Sequence, residues 1–186
     1  MNILIIDGHP DVTPERFCHA LTAAYKKGAE SMEHTVKVIK IAELDIPYLR
    51  SAAESKSGIL PNKALEEAQQ AITWAKHIVI IYPLWLGDIP AYLKAFLEHV
   101  LSPGFVFDEN KLGTLQGKSA RIIVTMGMPA IFYRWYFWSH SLISLKRNIL
   151  QFVGIKPIGE TLIGSIETTD HKKWLKKVEQ FGSFGI

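Results

Sequence analysis

Three short stretches of this chain combine residue types suited to a phosphorylated, planar ligand. Gly8-His9-Pro10-Asp11-Val12-Thr13-Pro14 follows an apolar run and leads through Glu15 to Arg16 and helical sequence. Amide groups at a helix start, an imidazole, a hydroxyl and a guanidinium fork together form a donor set for a phosphate. Pro83-Leu84-Trp85-Leu86-Gly87 offers an apolar face and a glycine against which a flat ring can lie, and Thr125-Met126-Gly127-Met128-Pro129 is a third loop of the same kind. A redox-active tricyclic ring needs such a surface, with main-chain donors near its polar edge to stabilise the charge that appears on reduction. Taken singly, each stretch has a plainer reading: turn and capping residues in the first, and a core or interface tryptophan in the second. Convergence of all three at one edge is what favours a ligand site.

Other chemistries find no support in the residue pattern. The seven histidines show no spacing with one another or with carboxylates that would make a metal site. A Gly-x-Ser-x-Gly elbow is absent, and Cys18 beside His19 is a pair of helix neighbours, not a nucleophile with its base. Without a Gly-x-Gly-x-x-Gly motif, a nicotinamide nucleotide is expected to visit the ring rather than own a site. A charge of +3 with scattered basic residues argues against a nucleic-acid partner. A single cysteine excludes an intrachain disulfide framework and fits a reducing compartment. The N-terminus reads as a strand and not as a signal peptide, so a cytoplasmic location is expected. Charges at Arg134, His140, Lys146 and Arg147 interrupt the most apolar long window, residues 131–150, which rules out a simple spanning helix there.

The elements that must position these loops alternate along the chain. Residues 2–7 form a continuous apolar run, the mark of a strand covered on both faces. Further strands are expected at 36–41, 78–82, 120–125 and 158–163. Helical spacing begins near Thr13 and Pro14, with Thr13 as N-cap, and places Phe17, Leu21, Ala24 and Gly28 in one stripe. More helices are expected at 63–75, from Pro90 to about 101, at 141–153 with Gly154 as C-cap, and through Phe181 with Thr169 or Asp170 as N-cap. Residues 42–62 read as a long irregular connection, 105–107 as a short extension and 108–118 as loop. Five strand–helix alternations in 186 residues argue for one domain over 1–186, an α/β doubly wound five-stranded parallel sheet of order 2-1-3-4-5. In that order the loops leaving strands one, three and four meet beside the topological switch point.

Gly8-His9-Pro10, the run Tyr82-Pro83-Leu84-Trp85-Leu86-Gly87-Asp88-Ile89-Pro90-Ala91-Tyr92-Leu93-Lys94 and Gly104-Phe105-Val106-Phe107 resemble the flavodoxin-like NAD(P)H dehydrogenase (quinone) family over nearly the whole chain. That family includes mammalian quinone reductase, bacterial drug-activity modulators and the ancillary oxidoreductases of potassium efflux systems. The resemblance implies a flavin enzyme, usually dimeric, that takes hydride from NADH or NADPH and passes two electrons to a quinone-like acceptor. It implies that His9, Arg16, Phe17 and Cys18 meet the flavin phosphates, that Pro83, Leu84, Trp85, Leu86 and Gly87 lie under the ring, and that Thr125, Met126 and Gly127 form the third loop. Tyr133 and His140 fall near the family's active-site tyrosine and histidine. Arg16-Phe17-Cys18 stands where the family's first helix commonly opens with Ser-Phe-Asn, and Thr125-Met126-Gly127-Met128 where its third loop commonly reads Thr-Thr-Gly-Gly.

The expected function is therefore a flavin-dependent NAD(P)H oxidoreductase working by ping-pong transfer, with FMN preferred over FAD because the chain is short. A flavodoxin-like electron carrier is the first alternative, disfavoured by a pI near 8.9; a regulatory subunit of a membrane transporter is the second. Six aromatics in the seven positions 132–138 cannot all enter one small core. Part of them is assigned to a homodimer interface and part to the acceptor pocket, with peripheral membrane contact as the competing use.

Overall fold

The apolar runs pair side by side, all parallel, in the order β2-β1-β3-β4-β5. The strands are β1 (Asn2–Asp7), β2 (Thr35–Lys40), β3 (His77–Pro83), β4 (Ser119–Thr125) and β5 (Ile158–Ile163). The structure is a computed structural model and describes residues 1–106 and 113–186. Every residue of the central strand β3 is buried, whereas the edge strand β2 alternates between exposed and half-buried positions. This is the pattern expected of a sheet covered on both faces with open edges.

Alternation along each strand splits the core in two. Ile3, Ile5, Val79, Ile81, Ile123 and Ile163 face α1 (Phe17–Ser31) and the C-terminal helix, while Leu4, Ile6, Ile78, Ile80, Tyr82 and Ile122 face the helices between β2 and β5. Those helices are α2 (Ala52–Ser57), α3 (Lys63–Trp74), α4 (Ala91–Val100), α5 (Pro103–Val106), α6 (Ala130–Trp135) and α7 (His140–Ser144), and α8 (His171–Phe184) closes the chain. α1 and α8 touch backbone to backbone. A Cβ at Gly28 would stand 1.8 Å from the Glu179 carbonyl oxygen, and one at Gly182 2.1 Å from that of Tyr25.

Four local expectations need correction. α1 opens at Phe17 and not near Thr13, because the Thr13 amide and hydroxyl both donate to Asp11 Oδ1 (2.8 and 2.6 Å) and Arg16 becomes an N-cap without a side-chain bond. The connection after β2 is not all irregular: it holds a 3-10 turn at Ile41–Glu43 and α2, whose Ser51 cap accepts the Glu54 amide while Glu54 accepts the Arg50 amide. This resembles a capping box, with the glutamate reaching one residue further back than the cap. The short extension at 105–107 is helical through Val106, and Phe107 with the loop positions up to 112 lies outside the described residues. The helix expected at 141–153 is instead α7 followed by a π-helical run Leu145–Gln151, and the aromatic stretch before it holds a further helix, α6. Such widened turns concentrate near functional sites.

Candidate functional site

Hydrogen bonds between loops distant in sequence bring the three turns to the carboxyl edge of the sheet. The Gly8 amide donates to the Ile81 carbonyl (2.7 Å), and the Leu84 amide donates to that of Thr125 (2.7 Å). Cys18 Sγ lies 3.3 Å from Thr125 Oγ1, and the His9 ring meets Trp85 edge-on with centroids 5.8 Å apart. First, second and third loops are thus in mutual contact.

The first turn is a charged network. Asp7, fully buried, accepts the His9 amide at Oδ1 and His19 Nδ1–H at Oδ2 (2.6 Å), while His19 Nε2–H donates to the Asp11 carbonyl (2.8 Å). Both ring nitrogens of His19 face acceptors, so both bonds together require a hydrogen on each. His9 Nδ1 accepts the Asp11 amide, which leaves Nε2 as its donor; burial first, then the charge of His19, pushes its pKa down and favours this neutral form. Arg16 turns back onto Asp11, with Nε and Nη2 at 2.7 and 2.5 Å from Oδ2. Bonds from Thr13 and then Arg16 hold the Asp11 carboxyl well below the usual range. The amides of Phe17 and Cys18 precede any i−4 carbonyl and find no partner among the described residues. Phe17 stacks on His171 at 4.2 Å, and burial pushes the Cys18 thiol up to about 12, so Cys18 presents its amide and not a thiolate.

The second turn projects main chain. Trp85 and Asp88 exchange both backbone hydrogen bonds at 2.9 Å, with Leu86 (φ 48) and Gly87 (φ 79) in the left-handed region between them. Two positive φ values in a two-residue turn make a tight hairpin that glycine tolerates and leucine does not. Pro83 is buried and Leu84 half-buried, yet Leu86 is fully exposed. His140 stands beside this turn: its Cε1 is the nearest atom, at 3.9 Å, to where a Gly87 Cβ would be. Its Nδ1–H donates to the Phe137 carbonyl (3.1 Å), so Nε2 is the nitrogen left for a ligand. Trp138 (φ 54) and Ser139 (φ 48) immediately precede it in strained conformations.

The third turn is bare at Gly127, where a Cβ would meet nothing within 4 Å. Thr125 and Met126 are buried, the Met126 amide donating to Ile163. Tyr133 does not reach this surface. It is fully buried, with its hydroxyl 2.6 Å from Ser141 Oγ and accepting the Leu142 amide at 3.2 Å. The expected direct contact between Tyr133 and a substrate is absent from this arrangement, because the packing of α6 on α7 encloses the phenol. Its aromatic neighbours point the other way: Phe132, Trp135, Tyr136 and Trp138 are 47%, 70%, 68% and 74% exposed. Behind the second turn a cleft of about 430 Å³ runs between Trp85, Leu86, Pro90 and Lys94 on one wall and Ser141, Ser144 and Leu145 on the other.

Asp7, Asp11 and His19 were not among the residues expected to build the site. The signal for His19 was its place one turn into α1 beneath the Asp7 terminus of β1, and for Asp11 its Asx spacing to Thr13. Among the described residues no cluster of metal-ligating side chains occurs and no helix is long and apolar enough to cross a membrane.

Known proteins share this arrangement of elements. An uncharacterized NAD(P)H oxidoreductase of Haemophilus influenzae is 28% identical over 92% of this chain and 88% of its own length. FMN-dependent NADH:quinone oxidoreductase 1 of Hahella chejuensis is 27% identical over 59% of this chain, which spans about half (51%) of that relative. The crystal structure of Smu.1420 from Streptococcus mutans superposes with a TM-score of 0.83 at 28% identity, covering 99% of this chain and 100% of that one. An NAD(P)H:quinone oxidoreductase from Methanothermobacter marburgensis gives a TM-score of 0.84 at 22% identity, covering 98% of both chains. The family model described as the flavodoxin-like fold matches residues 1–182, and the chain belongs to that family.

Proposed function

We propose that this chain is a flavin-dependent NAD(P)H oxidoreductase that holds FMN at the three-turn rim and passes two electrons to a quinone-like acceptor by ping-pong exchange, as a homodimer. The observation that carries the reading is the convergence of three turns on a rim whose main chain lies bare at Gly87 and Gly127. The residues present fit such a group. A flat ring has room against Gly127 and the Leu84–Gly87 backbone, and unpartnered amides at Phe17 and Cys18, with His9 Nε2, suit its phosphate at the α1 N-terminus. Support for FMN over FAD comes from the name of the Hahella relative, and for the nucleotide from that of the Haemophilus protein.

Bound FMN supplies the two-electron chemistry linking NAD(P)H to the acceptor. The chain's part is to hold, orient and shield. Pro83, Leu84, Trp85 and Leu86 form the apolar wall, Thr125 and Met126 brace it from the next strand, and Arg16 adds charge beside the phosphate. Asp7 holds the His9 main chain in place, while burial and the charge of His19 keep the His9 ring a neutral donor. His140 presents Nε2 next to Gly87, where it orients the oxygen of an incoming acceptor. Tyr133 acts at one remove, by tying Ser141 and Leu142 and so setting the direction of α7. The exposed, left-handed Leu86 and the stacked pair Phe132 and Tyr136 meet the second subunit, which completes the pocket.

The test is spectroscopic. Added FMN gives a bound yellow complex, anaerobic NADPH or NADH bleaches it, and a quinone restores the colour; initial rates against both substrates give parallel double-reciprocal lines. His140→Gln lowers quinone turnover roughly tenfold, as for loss of one hydrogen bond in the transition state, while Tyr133→Phe chiefly lowers stability, by about 1 kcal/mol. Neither complex nor bleaching would leave only the fold.

A further inference from the structure

We propose that a cleft at the open edge of the sheet binds a small aromatic carboxylate, gripped by Arg121 and Lys177 against an aromatic shelf. The cleft holds about 580 Å³ between β4, β5, α6 and α8. That volume suits a ligand of one or two rings.

Arg121 on β4 reaches across the edge strand at Gly159. A Cβ there would stand 3.0 Å from Nη2 and 3.2 Å from Cζ, so the glycine is what lets the guanidinium lie flat toward the edge. It is held from both sides: Nη1 donates to Thr161 Oγ1 (2.8 Å) and Cζ sits 4.0 Å from the Phe181 ring centroid. Yet no carboxylate pairs with it among the described residues, and its buried Nε has no acceptor. Lys177 Nζ stands 4.9 Å over Trp174 and 5.8 Å from Phe181, again without an ion pair among the described residues. Among the described residues the one carboxylate lining the cleft, Glu160, is shared between Arg134 (3.6 Å) and Lys146 (3.2 Å). A half-buried guanidinium without a counter-charge is costly, and an incoming anion offsets that cost.

The shelf fixes the rest of the ligand. Trp135 from α6 and Trp174 and Phe181 from α8 line the same cleft, and Trp135 is 70% exposed. A planar acid stacks on these rings while its carboxylate meets the fork. None of these residues belongs to the flavin rim, so occupancy here stands or falls independently of the oxidoreductase reading.

The experiment titrates the full chain with 2-naphthoate and with neutral 2-naphthamide, followed by calorimetry and tryptophan fluorescence. Saturable naphthoate binding is expected, with naphthamide roughly tenfold weaker or worse, the loss typical of one charged hydrogen bond. Arg121→Gln weakens naphthoate by about the same factor and Lys177→Gln by roughly threefold, both leaving FMN affinity unchanged. Because Lys177 is exposed, its variant decides the matter if Arg121→Gln fails to fold. Equal affinity for acid and amide, affinities unmoved by either variant, or no saturation at millimolar naphthoate overturns the proposal.

Discussion

The two ends of the sheet are built to different rules. At the amino end, connections are tied down: Lys118 Nζ donates to the Thr73 and Ala75 carbonyls (2.7 and 2.6 Å), closing the end of α3, and the Lys76 and Ser119 amides continue the ladder. At the carboxyl end, chain is held in poor conformations and side chains are left in water. Of the five non-glycine residues with positive φ among those described, Leu86, Trp138, Ser139 and Ser165 lie at or beside the carboxyl rim and only Glu33 at the other end. Each costs on the order of 1–2 kcal/mol. The amino end thus stabilises the sheet, and that stability lets the rim keep the shapes a ligand needs.

Breaking the amino end has the largest expected effect. Lys118→Met leaves two carbonyls unsatisfied and costs about 2–4 kcal/mol in denaturant unfolding, while FMN affinity of the folded protein stays the same. A fall in FMN affinity as large as the fall in stability would erase the distinction between the ends. Next is pH. Burial holds His77, at the start of β3, at a pKa of about 4 against an ordinary 6.5. An unfolded chain takes up that proton first, so stability is intact above about pH 6.5 and lost as pH falls toward 4, by about 3 kcal/mol in all. Thermal melts across this window flatten in His77→Gln.

Variants at the rim sharpen the contrast from the other side. Leu86→Gly relieves a left-handed leucine whose side chain packs on nothing in the single chain, and raises stability by about 1 kcal/mol. The same change weakens FMN binding and dimerisation, measured by flavin titration and sedimentation; no loss of either would mean that the strain serves no ligand. The smallest effect is at Asp11. Asp11→Asn keeps an acceptor for Thr13 and releases Arg16, tightening FMN by roughly threefold at low salt, with the gain shrinking as salt rises.

Much of this was legible beforehand for definite reasons. Continuous apolar runs at 2–7 and 78–82 can only be strands covered on both faces, and a parallel order with right-handed crossovers brings loops one, three and four together. The site was harder to read where local groups compete. Thr13 could cap α1 or bind Asp11, and the contest is settled by geometry within a few residues. At 132–138 neither period 2 nor period 3.6 says which aromatic turns inward, and packing chose Tyr133.

What the amino-acid order determined alone was the set of elements and the identity of the three turns, since these depend on apolar periodicity and turn chemistry within about ten residues. Only the tertiary structure decided that Cys18 meets Thr125 across 107 positions, that Arg121 crosses Gly159 without a counter-charge, and that Tyr133 is enclosed while His140 is not. Contacts at such separations follow from how layers pack, and packing energies are summed over the whole core rather than written in any one stretch of chain.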